Sequence, residues 1–314
     1  MQPCNSVDGV YSVIQYQKRI AINGQEYLRI NLANAFESVT ANCWLNNYTG
    51  PDSYTESEAI HIVGKRKKLD VKEIIDIYQA NRLNTSGTWS LVVIPHCWVA
   101  KKADLLRLMK LVHDLSSEQL RNFVYEAFSD RNFASLFCNL PASHQFHHSF
   151  AGGLLRHSLE CASIVAQCPA LSPLDSDLGT VAALFHDAGK VLTMKDAKKT
   201  QLGYLVDHDS LTLSTLHHPL QKLDSVWPDA AIALRHIWTC RSHKKWGYKA
   251  KMPVATVVQM ADQISSNINH ESQAFFALPG WRNSATHSAS GERFWRLSEP
   301  FRIAEHDNTE ARHG

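Results

Sequence analysis

The spacing of apolar residues changes near residue 100, and that change restricts the chain to a β part followed by an α part. Before it, short runs alternate. Val10–Tyr16 is apolar and rich in strand formers, and Asn23-Gly24 is a hairpin-turn signal leading into Tyr27, Leu28, Ile30 and Leu32. Val39, Ala41, Cys43 and Leu45 alternate with polar residues. Ile60, Ile62 and Val63 suggest a fourth strand, Trp89–Val99 a fifth, and Val71–Ala80 one helix. After Ala103 the apolar residues recur at helical spacing: Leu105, Leu106, Leu108, Met109, Val112 and Leu115, then Leu120, Phe123, Val124, Ala127 and Phe128, with cap residues at Ser116-Ser117-Glu118 between them. Further helices are expected over Gly153–Gln167, Leu178–His186, Ala230–Cys240 and Val254–Asn269.

Five strands and a helix in about a hundred residues suit a small closed barrel, an OB-like fold ahead of a small sandwich. The 314 residues leave room for a second domain, and an apolar share of 44% can fill both cores. The formal charge of +2 is too small to imply nucleic acid or an anionic membrane by itself; a polyanion would need a local patch. Seven cysteines, without a C-x-x-C pair, argue against a disulfide framework or zinc ribbon and for reduced thiols in the cytoplasm. Met1–Val10 lacks the pattern of a signal peptide, and no run approaches about 18 apolar residues, so no membrane partner is expected.

The 17 histidines concentrate between His144 and His243. His157 follows Gly152-Gly153 on an expected helix. His186-Asp187 ends the apolar run Val181–Phe185 and is followed by Ala188-Gly189-Lys190, and Asp262 stands in the apolar run Val257–Ala261. Any one of these could be a satisfied polar residue; together they form a set of imidazole and carboxylate ligands. Such ligands hold Mn, Fe, Co or Zn and leave positions open for water, whose pKa the metal lowers while it polarises a phosphoryl oxygen. His208 and His236 would extend the site to two ions if both point inward. Lys190 is a candidate phosphate contact, against the alternative of a solvated helix-end lysine. His148 is a candidate substrate contact, His243 a candidate catalytic or substrate group, and His217-His218 read as ordinary helix or loop residues. A basic run, Arg235, Arg241, Lys244, Lys245, Lys249 and Lys251, is interleaved with Trp238, Trp246 and Tyr248. That mixture suits a single strand with stacked bases, or equally a solvated loop with core aromatics. Lys65-Arg66-Lys67-Lys68 is a second basic patch, which taken alone reads more simply as a solvated loop.

Leu140-Pro141-Ala142-Ser143, His147-His148, Gly153-Leu154 and His157 resemble the opening of the HD domain in YhaM-type 3′–5′ exoribonucleases. The HD region of TraI/MobH-type conjugation proteins is similar. Ala183–Lys190 matches both; Arg235-His236-Ile237, Trp246-Gly247 and Asp262 resemble the YhaM pattern more closely, and Asn23 through Trp44 is similar to that family's OB-fold. Two departures stand out: Lys65–Asn84 looks longer than a plain turn, and Arg241-Ser242-His243 replaces a doubled histidine.

The resemblance implies an α+β multidomain chain: an OB-like β-barrel over 1–100, a helical linker over 101–145, an all-α HD-domain bundle over 146–275 and an extension over 276–314. It implies metal ligands His157, His186, Asp187, His208, His236 and Asp262, with Asp187, Lys190 and His243 catalytic. His148, Lys190, Arg241, Lys244, Lys245 and Trp246 would contact substrate. The cofactor would be one or two divalent ions, manganese first, with iron, cobalt or magnesium as alternatives. The implied activity is 3′–5′ exonuclease action on single-stranded RNA ahead of DNA, in a chain that could form a homo-oligomer. The alternatives are a phosphohydrolase of free or cyclic nucleotides and a DNA-processing accessory protein of conjugative elements.

Overall fold

The computed structural model describes residues 5–69, 72–144, 148–195, 198–240 and 251–297. Five strands close a barrel in the order β1-β2-β3-β5-β4: β1 Ser6–Ile20, β2 Glu26–Ala33, β3 Ser38–Trp44, β4 Ala59–Leu69 and β5 Lys72–Arg82. β3 and β5 pair in parallel and the other neighbours pair antiparallel. This is the connectivity of a five-stranded Greek-key OB barrel. Asn23-Gly24 sits in the β1–β2 turn as expected. Val13, Leu28, Ile30, Leu32, Ala41, Cys43, Ile60, Ile62, Ile75 and Ile77 fill the interior, mostly at every second position of their strands.

Two elements differ from the sequence reading. The expected helix ending at Ala80 is β5; Val71 itself lies outside the described residues. Ile74, Ile75 and Ile77 are β-branched and stiff in a helix, and pairing to β3 on one side and β4 on the other outweighs their helix-like spacing. The expected strand Trp89–Val99 is instead the short helix α1, Trp89–Val92, and a 3₁₀ turn, His96–Trp98. Pro95 cannot donate to a ladder, and β4 already pairs with β1, so the barrel offers no edge. Lys65–Lys68, read as a loop, lies within β4. There Arg66 forks onto Glu37 at 2.6 and 2.7 Å and Lys67 pairs with Asp76, so two of the four cations have carboxylate partners.

The helices begin with α2 Lys102–Asp114, α3 Glu118–Ser129 and α4 Arg131–Asn139. Ser117 caps α3, accepting from the Leu120 amide, and Asp130 caps α4. Arg131 forms the seam with the barrel: it donates to Ser12 Oγ at 2.7 Å and to the Val93 carbonyl at 3.1 Å, with its guanidinium over Trp98. α5 Gly153–Ala166 and α6 Pro173–Phe185 follow, then α7 Lys190–Thr193 and a hairpin of β6 Met194–Lys195 and β7 Lys198–Lys199. The remaining helices are α8 Gln201–Leu205, α9 His208–Thr215, α10 His217–Val226, α11 Pro228–Thr239 and α12 Pro253–Ala274. Phe123, Phe128, Phe133, Phe137 and Phe185 form one aromatic centre, with ring centroids 5.2–6.1 Å apart where they meet. Gly179 allows α6 to approach α5 and α12: a Cβ there would meet Val165 at 2.8 Å and Val254 at 2.5 Å. That close packing brings the three helices carrying His157, His186 and Asp262 together.

By backbone contacts the chain divides into Met1–Ser266 and Asn267–Gly314. The second unit contains a hairpin of β8 Ser284–Thr286 and β9 Arg293–Trp295, with the imidazoles of His270 and His287 stacked at 4.3 Å. None of the six described cysteines is in a disulfide. No helix among the described residues is long and apolar enough to cross a membrane.

Candidate metal centre

His157 lies in the middle of α5 and is fully buried. His186 caps α6, still in helical conformation, so Asp187 emerges one residue past the helix end; Asp262 projects from α12. His157 Nε2 lies 3.1 Å from Asp262 Oδ1 and 3.6 Å from Asp187 Oδ2. His186 Nε2 lies 3.4 Å from Asp187 Oδ2 and 3.6 Å from Asp262 Oδ1. The other Asp187 oxygen, Oδ1, is 3.0 Å from Nε2 of His208, at the start of α9. Ligand atoms of His157, Cys161, His186 and Asp262 lie within 4.8 Å of one another, and so do those of Asp187, His208 and Asp209. Asp187 faces both groups.

The hydrogen bonds behind these donors fix their direction. His186 Nδ1 donates to the Ala183 carbonyl at 2.8 Å, which aims Nε2 into the cluster, where this buried atom has no hydrogen-bond partner. Ser265 Oγ donates to Glu160 at 2.7 Å, so at 3.0 Å it accepts from His157 Nδ1, and the His157 Nε2 lone pair also faces carboxylate oxygen. Two lone pairs and two carboxylates facing one another need a cation, either a proton or a metal ion. Nitrogen and oxygen donors of this kind fit a divalent transition metal, and the outer partners resemble the tethers that orient metal-binding imidazoles.

The ionisation of the metal-free cluster follows. Burial depresses His157 below the ordinary imidazole range despite Asp262 beside it. Burial works the same way on His186, but Asp187 and Asp262 outweigh it and hold that imidazolium well above the usual range. In His208, likewise, Asp187 and Asp209 overcome burial and push the value up to about 9. Burial alone would raise both Asp187 and Asp262. Instead Lys190 and His186 hold Asp187 well below the carboxylate range, and His157 and His186 do so for Asp262.

The structure therefore brings together His157, His186, Asp187, His208 and Asp262. Lys190 is 8% exposed and donates to Asp187 Oδ2 at 2.5 Å, so its partner is a carboxylate of the cluster. His148 is buried, bonds Glu160 at 3.0 Å and lies beside His157, with ring centroids 5.4 Å apart. His236, half-buried on α11, belongs to neither group of converging donors among the described residues. His147, Arg241, His243, Lys244, Lys245 and Trp246 lie outside the described residues. The sequence reading missed Glu160, Cys161, Asp209 and Ser265. Glu160 and Cys161 follow His157 at i+3 and i+4, the spacing of one helix face, and Asp209 completes a second His-Asp pair.

Known proteins resemble this chain in three ways. The TraI_2 family model, described as "Putative helicase", matches residues 91–207. The protein named 3′-5′ exoribonuclease YhaM of Halalkalibacterium halodurans is 22% identical over 282 residues, covering 84% of each chain. Its namesake in Bacillus subtilis is 21% identical over 277 residues, covering 84% of this chain and 85% of that one. The likeness to YhaM-type proteins carried by the motifs thus extends over about four-fifths of the sequence. Two solved structures, the protein PriB from Ralstonia solanacearum and the second OB-fold domain of replication protein A from Methanococcus maripaludis, are each 13% identical with a TM-score of 0.22. They cover 25% and 27% of this chain, and 96% and 89% of their own.

Proposed function

We propose that this chain is a metal-dependent nuclease of the HD type that removes nucleotides from the 3′ end of single-stranded RNA, with DNA a lesser substrate, in the cytoplasm. The observation that carries the reading is the convergence of His157, His186, Asp187 and Asp262, with the Nε2 atoms of both imidazoles turned toward carboxylate oxygens. These residues would hold a divalent ion, manganese by preference, which would supply a Lewis acid for a phosphoryl oxygen and a water of lowered pKa. Asp187, Asp209 and His208 are the residues that would hold a second ion. Lys190 fixes Asp187 between the two groups and adds positive charge close to where a phosphate would sit. Glu160, through Ser265, holds His157 in the tautomer that leaves Nε2 bare.

The barrel supports a polymer substrate. The outer face of β2 and β3 carries Tyr27 and Trp44 with rings 4.8 Å apart, and β5 carries the half-exposed Tyr78. Aromatic rings on a strand surface suit stacked bases. Relatives that carry an exoribonuclease name cover 80–84% of this chain and 82–85% of their own length, in agreement with this reading. The TraI_2 match favours a second reading, DNA processing. The matched stretch, however, contains His157 and His186-Asp187, and the sequence has no Gly-x₄-Gly-Lys-Ser/Thr phosphate loop. End-labelled single-stranded RNA and DNA, incubated with a panel of divalent metals, distinguish the readings. A ladder shortening from the 3′ end with mononucleotide release is expected; turnover of free nucleotides alone, or binding without turnover under every metal, would overturn it.

A further inference from the structure

The segment between Lys190 and His208 leaves the metal centre and returns to it. Both residues bind Asp187, at 2.5 and 3.0 Å, and a Cβ on Gly189 would meet the His208 carbonyl oxygen at 2.0 Å. The two ends of the excursion therefore touch. α7, the β6–β7 hairpin and α8 run between them. Thr200 closes the loop, its amide donating to the Thr193 carbonyl and its Oγ1 to the Leu192 carbonyl, each at 2.9 Å.

The outer surface of this excursion has a consistent chemistry. Lys195, Lys198 and Lys199 are exposed, and among the described residues none of them meets a carboxylate. Beside them Tyr204 is 74% exposed and Leu205 87%. An exposed aromatic among cations that meet no described carboxylate is the composition of a surface that binds single strands: cations for successive phosphates, a ring for a base. The hairpin begins only after α7 has advanced the chain about 6 Å from Lys190. Its lysines are thus placed for phosphates other than one seated on the metal ligands, which a free mononucleotide would not provide.

We propose that strands β6 and β7 and helix α8 grip the backbone of a single-stranded nucleic acid next to the metal centre, with Lys195, Lys198 and Lys199 on phosphates and Tyr204 beneath a base. This rests on the nuclease reading and names the part of the chain that holds the polymer at the site. The grip reads phosphate and base face rather than sugar, so it applies to RNA and DNA alike.

The test uses the full-length protein and fluorescent phosphorothioate RNA and DNA strands about 12 nucleotides long, which resist cleavage. Anisotropy gives affinity from 50 to 200 mM salt for the wild type, for the triple variant Lys195→Ala/Lys198→Ala/Lys199→Ala, and for Tyr204→Ala. Each phosphate contact contributes about 0.7 to the salt slope, so three contribute about 2, and over this range the wild type should lose about 20-fold more affinity than the triple variant. Tyr204→Ala should weaken binding about 5- to 100-fold at an unchanged slope. Metal content equal to the wild type verifies that each variant is folded. Strand binding with the wild-type slope retained in the triple variant overturns this proposal and leaves the nuclease reading intact. A wild-type protein that binds no strand but hydrolyses mononucleotides overturns both.

Discussion

Loading the proposed metal centre should expel protons, and the number follows from the charges of the imidazoles in it. In the metal-free protein the cations beside Asp187 and Asp262 are the Lys190 ammonium, which no ion displaces, and protons on imidazoles. His186 is held well above the ordinary range by Asp187 and Asp262 against the effect of burial, and His208 is held at about 9 by Asp187 and Asp209. Both are therefore charged at pH 7. His157 is depressed by burial and already neutral. A metal takes only a neutral imidazole nitrogen, so two ions should displace about two protons at pH 7, one from His186 and one from His208. Calorimetric titration with Mn²⁺ or Zn²⁺ in buffers of different ionisation enthalpy reads this number as the slope of observed heat against buffer enthalpy. The sign is fixed: both groups lose a proton on binding, so apparent affinity rises with pH up to the folded-state values. The slope should fall toward about one as pH passes 9 and His208 is already neutral. In His208→Ala it should be about one already at pH 7, with one ion fewer bound. A slope near zero at pH 7 with full metal uptake would refute the assignment of the buried charges, because the ligands would then have been neutral before the metal arrived.

Three further outcomes are expected. Asp187→Ala should lose most of both ions by elemental analysis, because one carboxylate oxygen faces His157 and His186 and the other faces His208; equal metal in variant and wild type would remove Asp187 from the site. Ser265→Ala frees the His157 ring from Glu160 and should weaken metal affinity about 10- to 100-fold with little change in melting temperature, as measured by competition with a chromogenic chelator. Phe185→Ala, at the meeting point of Phe123, Phe128, Phe133 and Phe137, should cost about 3–5 kcal/mol in urea unfolding of the metal-loaded protein, whereas Phe276→Ala, at an exposed side chain, should cost little.

The order of domains and the centre of the site are written locally. The change of apolar period near residue 100 separates barrel from helices because side-chain direction repeats every two residues in a strand and every 3.6 in a helix. His186-Asp187, Gly189 and Lys190 lie within two turns of chain, and Asp262 is conspicuous as a carboxylate in an apolar helical run. Tertiary structure decided whatever depends on distant partners. Residues 72–82 became a strand, and 89–99 did not, because closing the barrel matches β5 to β3 and β4 and leaves no edge for another. His208 reached Asp187 because buried Thr212, one turn further along α9, hydrogen-bonds the His186 carbonyl at 3.1 Å and the Gly189 amide at 3.3 Å. His236, equally legible in the sequence, has no such tie in the described residues. Glu160 and Ser265 acquired their roles only when α5 met α12 across 105 residues of chain. Local sequence fixes which chemistry each helix carries; which of those side chains share a charge depends on packing that no short window of sequence contains.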